Sequence, residues 1–408
     1  MSGPYRELLA VPGARPFVAA GFVGRMSMAM VGIGIVLLVS AVTGSYGIAG
    51  SVAATLSLSY AVGAPLSARF ADRYGQHRVL VPLVLANAAA FALLITFAQL
   101  GLPVWTLFPA AALAGLTQVS LGAWIRARWT HVLRDTPGRL HAAFSFESVV
   151  DESIFVAGPL IVTALATGVH PAAGLASAAG FTLAGCLALA AQRGTEPPPV
   201  PRPPGTRGGH VLRNPAVRVI TPVFLLLGVV FAAIDVSVVA FAEERGRTGM
   251  AGVVLGCYAL GSGVAALWYG ARRWRSPLER RFQVGLALMA VAMVPPVLVG
   301  DLHLMMAVVF FSGLAISPTI IPGYGLVERL VPAHQLTEGL AVVSTSVGVG
   351  LAGGSSAAGR VVDEFGAEAA FLVPMAAALV AAAYGLAGMR FLARRSPGPA
   401  PGAPSDKT

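Results

Sequence analysis

ARFADRYGQHR, residues Ala68 to Arg78, packs three Arg, one Asp and one Gly between two long apolar runs. An otherwise apolar chain has reason to place four charges in so short a hinge if they hold a turn at a membrane surface.

The surrounding composition supplies the membrane. The chain has 408 residues, 56% hydrophobic and 11% charged, with a mean hydropathy of +0.75, whereas soluble globular chains carry roughly 25% charged residues. A bilayer core about 30 Å thick needs about 20 apolar residues per helix. Stretches of that length recur from Pro16 nearly to Arg394, and twelve spans are predicted, helices 1 to 12 in order, at 16–40, 46–68, 79–99, 103–125, 142–168, 171–191, 216–242, 248–270, 282–300, 303–327, 337–361 and 367–393. The first fifteen residues are mildly polar and run into a full-length span with no small-residue cleavage pattern, so no cleaved signal peptide is expected. Cys186 and Cys257 fall inside spans and are read as packing residues.

The net charge of +10 could point to nucleic acid, but its placement decides otherwise. Of 28 Lys and Arg, 24 lie on one side: in the N-terminal tail, in the loops after helices 2, 4, 6, 8 and 10, and at the C-terminal end. Arg245, Arg247 and Arg360 fall opposite, and Arg25 lies within helix 1. That asymmetry follows the positive-inside rule and predicts that both termini are cytoplasmic. Lys407 is the sole Lys, a hint of a GC-rich bacterial genome.

The longest polar interruption, Gln192 to Pro215, contains TEPPPVPRPPGTRGG and separates six spans from six. Its Pro and Gly content predicts an extended linker. The expected organisation is a bundle over 1–191, a cytoplasmic linker over 192–215, a second bundle over 216–395 and a disordered tail over 396–408. A weak internal repeat supports two related halves, since helix 8 ends in YGARRWRSPLERR, Tyr269 to Arg281, with the arginines of the opening segment but not its Asp.

These residues resemble the major facilitator superfamily, whose signature after the second helix is roughly GxxxDRxGRR. Ala68 stands at the first Gly, Asp72, Arg73 and Gly75 match, Gln76 and His77 replace the usual basic pair, and Arg78 follows. The resemblance covers the whole chain and implies an all-α membrane protein of twelve transmembrane helices in two pseudo-symmetric six-helix bundles. Physically, Gly75 permits a positive φ in a tight turn, and Asp72 can face the positive N-terminal end of a neighbouring helix. The resemblance identifies that helix as helix 11, and implies that the loop docks there as a latch for the outward-facing state. Asp72 is therefore expected to cap helix 11 near Gln335 to Glu338, with Arg73 or Arg69 pairing with Glu338. The alternative is that the arginines only set topology and the loop is only a turn. A similar spacing in GRVVDEFG, Gly359 to Gly366, falls on the opposite side and is assigned to capping and turning, with no gating role.

A charge at mid-bilayer costs at least about 2.5 to 3.5 kcal/mol, so it should face protein or a wet cavity. Arg25 is one such residue. Helix 5 carries Glu147, Asp151 and Glu152 in FSFESVVDESIFVAGP, with Glu147 and Asp151 on one face. Arg25 and Asp151 are expected at similar depth and can pair. Either the set exchanges a proton, or Arg25 and Asp151 form a static pair while Glu147 reaches the cytoplasmic interface. Asp235, alone in helix 7, is a candidate for a cationic substrate or a proton, or else it is hydrated near the outer surface.

Further resemblances are partial. The helix-5 antiporter pattern, approximately GxxxGPxxGG, survives as Gly158 and Pro159, with Ile154, Val162 and Thr163 at its other positions. A proline bend is the plain alternative. GLTQVSLGA, Gly115 to Ala123, has Gly115 where superfamily members usually carry a buried Arg, which makes Arg25 the substitute candidate. In helix 11, GVGLAGGSSAAG permits close helix contact, and in helix 10 Pro318 and Pro322 break or kink the helix. Trp105, Trp124, Trp129, Trp268 and Trp274 are assigned to span ends.

No GxxxxGKS phosphate cradle, metal-ligand spacing or nucleophile set is visible, so an enzyme is not expected. The expected function is alternating-access secondary transport in a bacterial cytoplasmic membrane, with proton-coupled export of a small organic molecule as the leading form. A proton-driven metabolite importer and a non-transporting membrane sensor or scaffold remain open. The expected partners are a small-molecule substrate, protons and the lipid bilayer, with no cofactor, metal or nucleic acid, and the chain is taken as a monomer.

Overall fold

In the computed structural model the described residues are 4–136, 139–199, 214–272, 274–331 and 336–395. Among them there is no strand, and eleven helical stretches are long and apolar enough to cross a membrane. The thirty-residue helix Leu336–Phe365 is a further long element. The central part of the predicted linker, the predicted tail and residues 332–335 lie outside the described residues.

The helices keep the numbers of the predicted spans. Helix 1 runs over Ala14–Arg25 and Val31–Thr43, joined by a 3-10 turn at Met26–Ala29. Helix 2 is Tyr46–Tyr74 and helix 3 is Gln76–Gln99. Helix 4 comprises Leu107–Thr117 and Leu121–Val132, helix 5 Leu140–Gly168, and helix 6 Pro171–Ala191. The second set is helix 7 at Pro215–Glu244, helix 8 at Ala251–Ala271, helix 9 at Leu278–Ala292, helix 10 at Leu302–Gly313 and Ile316–Leu330, helix 11 at Leu336–Phe365, and helix 12 at Leu372–Arg395. Short polar residues start several of them: Ser45 Oγ accepts from Ile48 N, and Asn214 Oδ1 accepts from Ala216 N ahead of Pro215.

Three of the spans are interrupted, helix 10 as its prolines predict and helices 1 and 4 unexpectedly. In helix 4, Thr117 Oγ1 turns back onto the Leu113 carbonyl at 2.7 Å, and Gln118 is extended. Beyond the break the helix continues seven residues past Ile125, to Val132. In helix 10 the break falls at Leu314 and Ala315. Pro318 has no N–H to give the Leu314 carbonyl four residues earlier, so the proline stops the helix upstream of itself. Pro322 sits inside the second segment. Helix 1 changes pitch directly after Arg25.

Packing divides the helices into two related sets. In the first, helix 2 packs on helix 4, helix 3 on helices 4 and 6, and helix 1 on helices 2, 5 and 6. In the second, helix 7 packs on helices 11 and 12, helix 8 on helix 10, and helix 9 on helices 10 and 12. Helix 2 meets helix 11 and helix 5 meets helix 8 across the sets, two contacts that exchange when the halves are exchanged.

Small residues let these backbones touch. A Cβ on Gly350 of helix 11 would overlap the Leu225 carbonyl oxygen of helix 7, and one on Gly228 would overlap the Val347 carbonyl oxygen. The crossings between halves are tightest at the end that carries Ser45. There Cβ atoms on Gly50 and Gly359 would overlap the Ser355 and Tyr46 carbonyl oxygens, whereas one on Gly348, further along helix 11, would have Ala61 Cβ at 3.6 Å as its nearest neighbour. Helix 8 behaves alike: a Cβ on Gly252 would overlap the Pro159 carbonyl oxygen, and one on Gly256 would find its nearest atom at 3.6 Å.

Gly350→Val is expected to cost about 1 to 3 kcal/mol by overpacking and to lower the midpoint of thermal unfolding in detergent. Gly353→Val, where the nearest atom to an added Cβ is 3.9 Å away, should leave the midpoint near wild type.

Candidate functional site

Helix 1 brings Arg25 to the centre of the first half. Its first segment lies on helix 6 so closely that a Cβ on Gly185 would overlap Gly24, and Arg25, one residue on, faces helix 5. Arg25 is 2% exposed. Its Nε donates to its own helix at Gly21 O, 3.1 Å. Nη1 donates to Asp151 Oδ1 at 2.8 Å and Nη2 to Glu147 Oε2 at 2.5 Å. The four-residue spacing of the two acids on helix 5 makes that double contact possible.

Each acid has a second partner. Asp151 Oδ2 accepts from Arg126 Nη2 at 2.9 Å, and Glu147 Oε1 accepts from Trp129 Nε1 at 2.6 Å. Two cations and two anions therefore neutralise one another, and helices 1, 4 and 5 are joined through them. Glu147 is fully buried and does not reach the cytoplasmic interface, because Arg25 and Trp129 use both its oxygens. Charges withdrawn from water need this degree of pairing to be tolerated.

Arg126 and Trp129 are absent from the set of candidates drawn from sequence, because that reading ends helix 4 at Ile125. A signal was present in WIRARW, where Trp124 and Arg128, and likewise Ile125 and Trp129, stand four apart as on a continuing helix. Trp124 and Trp129 are buried rather than at the membrane interface, since the extended helix points them into the first bundle. Gly115 has its own packing reason: a Cβ there would overlap the Leu56 carbonyl oxygen of helix 2, so no arginine fits. Helix 4 still supplies an arginine, eleven residues later, at Arg126.

Glu152 follows Asp151 and faces elsewhere. It is partly exposed, and a Cβ added to Gly263 of helix 8 would lie 3.5 Å from its Oε2. Among the described residues it makes no hydrogen bond or ion pair. Asp235 is likewise partly exposed and unpaired among the described residues. It precedes the end of helix 7 by nine residues, about 14 Å of helical rise, which places it well inside the span. Tyr258 of helix 8 lies within electrostatic reach of Asp235, and its buried hydroxyl has no hydrogen-bond partner among the described residues.

Gly158 and Pro159 lie in an unbroken helix 5. A Cβ on Gly158 would stand 2.6 Å from Ala29 Cβ in the 3-10 turn of helix 1, and the Pro159 carbonyl meets Gly252 of helix 8. Close approach on two sides accounts for this pair without a bend.

In the opening segment, Gly75 has φ 93° and is the one residue between helices 2 and 3. Arg69, Arg73 and Arg78 are exposed, and the Arg73 guanidinium lies 5.3 Å from the centre of the Tyr74 ring. The side chains of Asp72 and Glu338 lie outside the described residues, and so do the expected cap and ion pairs. Gln76 and His77, which depart from the signature, hold the root of the linker. Buried Arg128 donates to Gln76 Oε1, Thr195 Oγ1 and the carbonyls of Leu189 and Gln192. Glu196 accepts from His77 N at 3.2 Å and contacts His77 Nδ1 at 2.9 Å. The first residues of the predicted linker are thus anchored to the first bundle.

Among solved structures, the chain is similar to a variant of the nucleoside transporter NupG, with a TM-score of 0.71 and 12% identity over 91% of this chain and 99% of that one. A bacterial homologue of the iron transporter ferroportin, in an inward-facing state, aligns with a TM-score of 0.69 and 17% identity over 92% and 98% of the two chains. The human organic anion transporter MFSD10 aligns at 0.64 and 15% over 91% and 99%. Comparison with curated protein sequences gives no significant match. The family profile described as Major Facilitator Superfamily matches residues 17–300 and 238–407. With helices that cross-pack in two related halves, and with that match spanning nearly its whole length, the chain belongs to the Major Facilitator Superfamily of membrane transporters.

Proposed function

We propose that this transporter exchanges protons for a small organic cation by alternating access, exporting the cation across a bacterial cytoplasmic membrane. The carrying observation is the contrast among its intramembrane charges. Arg25, Arg126, Glu147 and Asp151 satisfy one another, while Glu152 in the first half and Asp235 in the second have no partner among the described residues. A carboxylate in such a place is least costly when protonated or beside a cation. As the cavity alternates between faces, a proton on one of them and a cation beside the other can alternate.

The roles divide accordingly. Glu152, at the crossing of helices 5 and 8, carries the proton. Asp235, with the Tyr258 hydroxyl nearby, receives the cation. The Arg25 network is neutral in sum and fixes the position of helix 5, and with it that of Glu152. The arginine asymmetry supports a cytoplasmic location for both termini and for the loop at Arg69 to Arg78. The tight helix crossings then belong to the outer face, and the conformation is inward-facing. The gating loop at Arg69 to Arg78, with Asp72 and Arg73 as its acting residues, is the lock for the opposite conformation. The structural neighbours carry cargoes as different as nucleosides and organic anions, so the cation assignment rests on Asp235 and not on likeness.

Transport is tested in proteoliposomes under an imposed pH gradient, with tetraphenylphosphonium as probe. Glu152→Gln is expected to abolish uphill movement while leaving downhill cation exchange, and Asp235→Asn to raise KM for the cation at least tenfold. Uphill transport undiminished in Glu152→Gln contradicts the assigned proton carrier, and flux only toward the side opposite to export contradicts the direction. Arg25→Leu leaves buried Glu147 without its counter-charge and half-buried Asp151 with Arg126 alone, and the loss of about 3 to 5 kcal/mol that follows breaking a buried pair should appear as a lower unfolding midpoint. Adding Glu147→Gln and Asp151→Asn should recover much of that loss.

A further inference from the structure

The segment GRVVDEFG ends helix 11, and its acid does more than turn the chain. Gly366, at φ 87°, makes the turn. Asp363 reaches out of its own half to the start of helix 2. Oδ2 accepts from Ser45 Oγ at 2.6 Å and from Gly47 N at 2.8 Å, and Oδ1 accepts from Tyr46 N at 2.8 Å. The first N–H groups of a helix have no partner within it and carry its positive end, so a carboxylate there gains both hydrogen bonds and charge. Ser45 Oγ is used twice, donating to Asp363 and accepting from Ile48 N at 3.1 Å. Tyr46 is also held at its far end, where its hydroxyl donates to Glu243 at the end of helix 7.

This contact depends on the distance between the halves. Asp363 can reach Tyr46 because Gly359, about one turn from Asp363, and Gly50, about one turn from Tyr46, let helices 11 and 2 cross with their backbones touching. Opening this end of the molecule must separate the carboxylate from all three donors. Asp301 provides an internal comparison, since its Oδ1 accepts from His303 N and Leu304 N, both at 2.9 Å, at the start of helix 10 within the same half.

We infer that Asp363 and the N-terminus of helix 2 form a latch that holds the two halves closed at this end and releases when the transporter opens there. Its place is opposite to the Asp72 loop, and its logic is the reverse, an acid of helix 11 on the end of helix 2. The sequence pattern alone assigns the segment to capping and turning because a cap shows the acid but not which half owns the capped helix. The latch depends neither on the identity of the cargo nor on the coupling ion.

The test is the distance between nitroxides at Val169→Cys and Leu298→Cys, on the full chain with Cys186 and Cys257 replaced by Ala, measured by double electron–electron resonance. Val169 closes helix 5 and Leu298 follows helix 9, both at the Ser45 end and in different halves. Asp363→Ala should raise the long-distance population relative to the short one about tenfold, the factor equivalent to about 1.4 kcal/mol and within the range for loss of a helix cap. Asp363→Asn, which keeps an acceptor and loses the charge, should give a smaller shift in the same direction. It decides the matter if the Ala variant does not fold. Asp301→Ala should lower the unfolding midpoint and leave the distances unchanged. An unshifted distribution in folded Asp363 variants, or an equal shift in Asp301→Ala, overturns the latch.

Discussion

The guanidinium of Arg25 is the constraint around which the first half is arranged. A buried arginine cannot be left without counter-charge, and its demand is met by two acids one turn apart on helix 5, whose remaining oxygens take Arg126 and Trp129 from helix 4. Three helices are fixed in rotation and height by one planar group. The 3-10 turn that begins at the next residue then packs against Gly158, so the same few residues set both the charge balance and the closest approach of helices 1 and 5.

Once those charges are spent on one another, the residues left for chemistry are few. Glu152 differs from Asp151 by one position on the helix, about 100° of rotation, and that rotation moves it from a closed ion network to the crossing with helix 8. Asp235, on helix 7 of the other half, is likewise unpaired among the described residues. The exchange proposed for them puts a proton site on one half and a cation site on the other, separated by a boundary that opens and closes. The boundary itself is glycine-lined at the Ser45 end and secured there by Asp363, so the charge logic in the interior and the latch at the rim act on the same motion.

The fold was legible because its strongest signals are coarse. Apolar length, arginine asymmetry and the linker interruption do not depend on any single residue, and Asp72, Arg73 and Gly75 stand in the spacing of the superfamily signature. The pairing of Arg25 with Asp151 is also legible, since depth along two helices running in the same direction can be counted. What sequence periodicity does not show is where a helix continues past the membrane. Ending helix 4 at Ile125 assigns Arg126 and Arg128 to a loop and Trp129 to the interface, whereas Arg128 and Trp129 are buried and half-exposed Arg126 pairs with Asp151. Nor does it show partners across the halves. Asp363 reads as a local cap because hydrogen-bond donors on helix 2, more than three hundred residues earlier in the chain, leave no local trace.

The central claim is that the neutral Arg25 network positions helix 5 while Glu152 carries the exchangeable proton. It is tested most directly by counting protons released when tetraphenylphosphonium binds the detergent-solubilised protein in weakly buffered solution near pH 7. The account predicts about one proton per cation for wild type and none for folded Glu152→Gln. Release that persists in Glu152→Gln but disappears in Asp151→Asn or Glu147→Gln would contradict it, because the proton would then come from the network itself.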